Sequence, residues 1–143
     1  MNASMGNSSA LQHYRKVGTQ TGVEAATPHR LIQMLLEGAL EKINLAKGYM
    51  QRGSIAEKGS HISWAISIID GLRMSLDKTS GGEIAENLDA LYDYMGRRLT
   101  EANIHNDESM LDEVSGLLLE IKSAWDAVPE LLNAGQRTEQ TVG

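Results

Sequence analysis

Two prolines, Pro28 and Pro129, bracket about a hundred residues in which apolar side chains recur at steps of three and four. No alternating β-branched run interrupts that stretch. A period near 3.6 excludes strands and predicts amphipathic helices, each with one face turned to a shared core.

Punctuation residues divide the stretch into four. Thr27 is a good N-cap and Pro28 suits a first helical position. From there Leu31, Leu35, Ala39, Ile43 and Ala46 form the stripe, widened by Ile32, Leu36, Leu40 and Met50, and Gly53 is a natural stop. Ser54 and Glu57 make an S-x-x-E capping box for a second helix, with a stripe of Ile55, Ile62, Ala65, Ile66, Ile69 and Leu76. "TSGG", Thr79 to Gly82, is expected to end it. A third helix is predicted from about Glu83 to His105 on Ile84, Leu88, Leu91, Met95, Leu99 and Ala102. "HND" at 105–107 supplies a turn in which Asn106 or Asp107 can cap the next start. The fourth helix carries Leu111, Val114, Leu118, Ile121, Trp125 and Val128. Short links make successive helices neighbours, so the expected fold is all-α, an antiparallel up-down four-helix bundle. The bundle is expected over 27–130, behind a leader over 1–26 and ahead of a tail over 131–143. The Ser-, Asn-, Gly-, Thr- and Gln-rich ends are expected to be disordered.

With 143 residues the chain suits one domain with a sizeable core. Its net charge of −6, with no basic block, argues against phosphate neutralisation on nucleic acid and against anionic membrane surfaces. The absence of cysteine removes disulfides, thiolate catalysis and Cys-ligated zinc. The N-terminus lacks a signal-peptide pattern, and no stretch approaches the ~20 apolar residues that span a bilayer. The expectation is a cytoplasmic protein without membrane insertion.

Catalytic and cofactor readings fare poorly. The Gly-Gly-Glu at 81–83 lacks the glycine spacing and lysine of a phosphate loop and follows no strand. A dimetal bundle needs inward carboxylates and Glu-x-x-His pairs, and neither occurs. Glu86, Asp89 and Asp93 share a face, but opposite the stripe, and Arg97 follows Asp93 by four; this reads as a solvated charged face. No metal, cofactor or enzymatic activity is expected. The alternative function is histidine phosphotransfer through His61, which sits mid-helix and off the stripe. Against it, Ile62, Ser63 and Trp64 stand where such modules usually place a lysine. His13, His29 and His105 do not converge with it.

What remains is surplus apolar surface. On the second helix, Trp64 and Ile68 fall opposite a stripe centred on Ile62 and Ile66, with Leu72 between the two faces. On the third, Asn87, Leu91, Tyr94 and Arg98 form a line beside the stripe. Tyr and Arg at a boundary suit a binding surface. A groove for a partner helix is one reading; scattered exposed apolar residues are the other. Leu11, Tyr14 and Val17, three apart with Arg15 and Lys16 between, form a short amphipathic leader able to dock on such a groove.

"SLDKTSGGEIAENLDALYDYMGRRLTEAN", Ser75 to Asn103, and "TPHRLIQMLLEGAL", Thr27 to Leu40, resemble the flagellin export chaperone family, the FliS family. Leu36-Glu37 stands where the family usually has Tyr-Asp. The resemblance covers about Tyr14 to Trp125. It implies a cytoplasmic chaperone that binds the C-terminal helical region of newly made flagellin around the outside of the bundle. Such a chaperone prevents premature polymerisation and aids delivery to the flagellar type III export apparatus, which brings an export gate component as a second partner. It leaves monomer and homodimer both open for the free chain. It also implies that the leader segment at Tyr14 packs on the bundle; Val17 shares the amphipathic face of that leader. With Trp64, Ile68, Leu72, Asn87, Leu91, Tyr94 and Arg98 these make up the expected partner-binding set. Gly81-Gly82 then reads as a turn setting the third helix against the second, with Tyr92 at the core edge.

Overall fold

A computed structural model of the chain describes residues 26–129. Tyr14 and Val17 lie outside the described residues, as do the rest of residues 1–25 and the tail from 130. The described chain is four helices: α1 (Pro28–Gln51), α2 (Ile55–Met74), α3 (Lys78–His105) and α4 (Glu108–Asp126). Each packs on its two neighbours around a ring, α1 on α2 and α4, and α3 on α2 and α4. With such short links this is the up-down antiparallel bundle. The α1–α2 contact is the most extensive and α3–α4 the least.

Local chemistry explains the ends. The Thr27 hydroxyl accepts from Arg30 N–H at 3.1 Å, capping α1. Gly53, at φ 72°, takes the left-handed position that closes α1. The expected Ser54–Glu57 capping box is not formed: Ser54 makes no side-chain cap. With α2 starting so soon, the Ser54 N–H already donates back to Tyr49 O at 2.9 Å. That removes the donor Glu57 would need, and ψ of 82° differs from the 161° of the working cap at Thr27.

The second helix stops at Met74, before "TSGG" rather than at it. Asp77 accepts from Thr79 and Ser80 N–H groups at 3.1 and 3.0 Å and opens α3 there. Gly82 then breaks α3 at φ 52°, ψ −129°, a conformation almost confined to glycine. Gly81-Gly82 is therefore a kink inside α3, separating its first turn from the long run that begins at Glu83. At the far end Asn106, at φ 52°, terminates α3, and Asp107 caps α4 by accepting from Ser109 N–H at 2.9 Å.

The core comprises Leu35, Leu36, Ala39, Ile43 and Ala46 from α1, and Met95, Leu99 and Ala102 from α3 with Tyr92. Leu111, Val114 and Leu118 come from α4. Tyr92 lies within the core rather than at its edge, and burial pushes its phenol up to about 12. Both ends of the α1–α4 seam are tied. His29 Nε2 donates to Trp125 O at 2.7 Å, Trp125 Nε1 donates to His29 O at 2.9 Å, and the two rings stack at 4.8 Å. At the opposite end Lys47 donates to Asp112 at 2.8 Å and Gln51 to Glu108 at 2.8 Å.

The largest departure concerns α2. Its buried arc is Lys58, Ile62, Ala65, Ile68, Ile69, Gly71 and Leu72, while Ile55 is 75% exposed. Ile68, expected on an outer apolar face, and Leu72, expected between the two faces, are 2% and 1% exposed. They are core residues and are corrected as partner contacts. Ile55, Ile66 and Leu76 had pulled the expected stripe to one side. The real stripe is broad because α2 is gripped by α1 on one flank and α3 on the other. Trp64 lies about 40° beyond Ile68 at 3.6 residues per turn, at the margin of the stripe rather than opposite it.

Candidate functional site

With helix 2 single-faced, surplus apolar surface must be sought where two helices meet least closely, on the α3–α4 seam. The apolar stripes of these two helices are wider than their fully buried positions. Leu88 and Leu91 on α3, and Met110, Leu117 and Ile121 on α4, pack against the core yet remain partly exposed. On the outer face of α4, Leu119 is 56% exposed beside Gly116 and Ser123.

Polar side chains edge this seam. Tyr94 Oη donates to Glu113 at 2.6 Å, and Arg98 Nε donates to the other carboxylate oxygen at 2.7 Å. The guanidinium carbon of Arg98 lies 5.9 Å from the Tyr94 ring centroid. These hydrogen bonds, Tyr94 first, hold the Glu113 carboxyl below its ordinary value. The same carboxylate raises Tyr94 and Arg98. Glu113 was absent from the expected set. Its signal was a carboxylate on the flank of the fourth-helix stripe, legible only once Tyr94 and Arg98 are known to face it.

Of the expected partner-binding residues, Leu91, Tyr94 and Arg98 therefore fall together on one seam, and Asn87 is exposed on the same helix upstream of them. Trp64 is elsewhere. It is 51% exposed on the α1–α2 side, with Lys42 Nζ 3.9 Å from its ring centroid. His61 stands 6.2 Å from Trp64 and 5.0 Å from Tyr49, centroid to centroid, and its Nδ1 donates to Glu57 O at 2.8 Å. The imidazole is thus part of an aromatic row.

The acidic face of α3 is not simply solvated. Arg73, at the end of α2, donates to Asp89 at 2.6 Å and to Asp93 at 3.1 Å, and Lys78 adds 3.2 Å to Asp89. The Arg73 hydrogen bond is the leading cause that lowers Asp89. This network binds α3 to α2 just beyond the Gly82 kink. Among the described residues no group of three or more His, Asp or Glu is placed to hold a metal ion. No described helix is long and apolar enough to cross a membrane.

A four-helix bundle with a filled core, no catalytic group assembled among the described residues and a half-open apolar seam is the frame of a protein-binding module. The family model for the flagellar protein FliS matches residues 10–131, and the chain belongs to the FliS family of flagellar secretion chaperones. It is 55% identical over 119 residues to flagellar secretion chaperone FliSB of Pseudomonas aeruginosa, covering 83% of this chain and 94% of that protein. It is 47% identical to the FliS chaperone of Vibrio cholerae, covering 84% and 88%, and 36% identical to that of Bacillus subtilis, covering 81% and 86%.

Proposed function

We propose that this protein is a cytoplasmic export chaperone for flagellin. It holds the C-terminal helical region of newly made flagellin, keeps it from polymerising early, and helps pass it to a gate component of the flagellar type III export apparatus. The observation that carries this reading is the α3–α4 seam: half-open Leu88, Leu91, Met110, Leu117 and Ile121 edged by the Tyr94–Glu113–Arg98 set. An amphipathic helix needs such a surface, apolar along its length and polar at the rim. Asn87, Leu91, Tyr94 and Arg98 are the contacts assigned to this seam. Trp64 serves as a separate contact on the α1–α2 side, and Tyr14 and Val17 in the leader as a segment that competes for the apolar surface. The protein acts by binding alone, without catalysis.

The test is size-exclusion chromatography of the full chain mixed with flagellin and with flagellin lacking its C-terminal helical segment. A one-to-one complex is expected with the first and none with the second. Equal binding of both would sink the proposal. Because the segment orders as it buries apolar area, calorimetry should show a strongly negative heat-capacity change.

A further inference from the structure

The end of the bundle where α1 turns into α2 and α3 turns into α4 holds a cavity of about 400 Å³. It is lined by Tyr49, Met50, Ile55, Ile104, Lys58 and Asn103, with Gly53, Ser54 and Asn106 at its turns. It is remote from the middle of the α3–α4 seam, and none of the partner contacts assigned above lines it. Two features of its rim are unusual. Ile55 and Ile104 are 75% and 71% exposed, two large aliphatic side chains presented to solvent at one opening. Their burial would be favourable, and among the described residues nothing covers them.

Its inner wall carries Lys58, 6% exposed, the only charged side chain among the described residues that line the cavity. Lys58 Nζ donates to Asn103 O at 3.0 Å and Asn106 Oδ1 at 3.1 Å, which ties α2 to the end of α3. Both acceptors are neutral. An ammonium has three N–H donors, and among the described residues the third has no acceptor and the charge has no carboxylate partner. A buried cation left without an anion is costly. The acids of the nearby turn are engaged elsewhere: Glu108 with Gln51, and Asp107 with Ser109. Further hydrogen-bonding groups border the same space. The Asn103 side-chain amide makes no hydrogen bond among the described residues, and Ser54 leaves the first turn of α2 without a side-chain cap. The uncapped N–H groups of that turn add to the pull on an anion, against the Glu57 carboxylate that the turn also carries.

We infer that this cavity binds the C-terminal carboxylate of a polypeptide ending in aliphatic residues. The carboxylate meets the Lys58 ammonium, the last side chains lie against Ile55, Ile104, Tyr49 and Met50, and the final peptide groups pair with Asn103 and the uncapped N–H groups of α2. The peptide-type donors and acceptors favour a chain end over a simple fatty acid, which would use only the cation and the apolar wall. A C-terminal carboxylate held in backbone N–H groups is an established mode of peptide capture. The site stands apart from the α3–α4 seam and from whichever chain occupies it.

The test is an NMR titration of the isotope-labelled full chain with acetyl-alanyl-isoleucyl-leucine as the free acid, as its C-terminal amide, and with octanoate. The free acid should shift the resonances of Ile55, Asn103 and Ile104 and bind on the order of tenfold more tightly than the amide or octanoate. Ile55→Ser and Ile104→Ser, at exposed positions, should weaken the acid several-fold while helicity stays intact. Lys58→Met should erase the preference for acid over amide. If that variant does not fold, the acid–amide comparison and the two rim variants decide alone. Equal binding of acid and amide, octanoate binding as tightly as the peptide acid, rim variants without effect, or no shifts at roughly 10 mM peptide would each overturn the assignment.

Discussion

The α1–α2 pair and the α3–α4 pair use helices of similar length, 24 and 20 residues against 28 and 19, yet they close differently. Between α1 and α2 the facing side chains are Leu35, Leu36, Ala39, Ile62, Ala65, Ile68 and Ile69, all at 2% exposure or less. Between α3 and α4 Met95, Leu99, Ala102, Leu111, Val114 and Leu118 are buried as completely, but the flanks Leu91, Leu117 and Met110 are in partial contact with solvent. There a carboxylate, a phenol and a guanidinium do part of the joining. Close-packed apolar side chains fix one geometry and lose energy when parted. A seam edged by polar contacts can exchange them for a partner's groups at small net cost, since exposed pairs of this kind contribute little. The bundle thus joins one helix pair by buried apolar contact and the other partly by polar clasps, and the proposed partner contacts, Trp64 apart, belong to the second.

The largest test of that contrast is Ile68→Glu. A carboxylate forced into the sealed α1–α2 side has no partner, so the variant should lose its cooperative thermal transition or fail to accumulate as folded protein. The milder Ile68→Ala should cost about 2–5 kcal/mol in chemical denaturation. A fully stable Ile68→Glu with weakened flagellin binding would put Ile68 on the surface and erase the contrast.

Leu91→Ala on the α3–α4 side should cost about 1–2 kcal/mol, in line with a half-buried leucine. Its main effect should be on flagellin, with affinity falling on the order of tenfold, as for a residue central to a groove. Calorimetry of wild type and variant checks it. Unchanged affinity would move the groove away from this seam.

Acid probes the polar edge. Glu113 is lowered by the Tyr94 and then the Arg98 hydrogen bonds from an ordinary 4.5, and Asp89 by Arg73 from an ordinary 3.8. For groups whose folded-state values are depressed, the stabilisation is complete above the ordinary values and is lost as pH falls through the folded ones. Melting temperature should therefore decline as pH drops below about 4.5, and Glu113→Gln should flatten part of that decline. A Glu113→Gln profile parallel to wild type would show that the clasp contributes nothing in solution.

The smallest expected effect is that of His61→Ala. It removes one ring from the Tyr49–His61–Trp64 row on the α1–α2 side and should leave flagellin affinity unchanged. Acid-labile phosphate on His61 after incubation with a sensor kinase would instead revive the phosphotransfer reading.

Much of this molecule follows from local sequence. Thr27-Pro28, Gly53, Asn106 and Asp107 mark helix ends because their preferences are short-range: a hydroxyl or carboxylate reaching an N–H two or three residues on, or a backbone that tolerates positive φ. The apolar stripes of α1 and α4 were likewise legible, and the line Leu91–Tyr94–Arg98 was visible beside the stripe of α3. Four amphipathic helices with short links leave few folds other than a bundle.

Tertiary contact decided the rest. Whether Ile68 and Leu72 face solvent depends on how α1 and α3 flank α2, and a helical wheel carries no information about neighbours. Ser54 had the chemistry of a cap but spends its N–H on Tyr49 O, because the turn before it is too short to serve both helices. Asp89 and Asp93 read as a solvated face until Arg73 arrives from another helix, and Glu113 gains its role only opposite Tyr94 and Arg98. A periodic pattern specifies that a side chain is turned inward on its own helix; only the packing of the other helices specifies what it meets there.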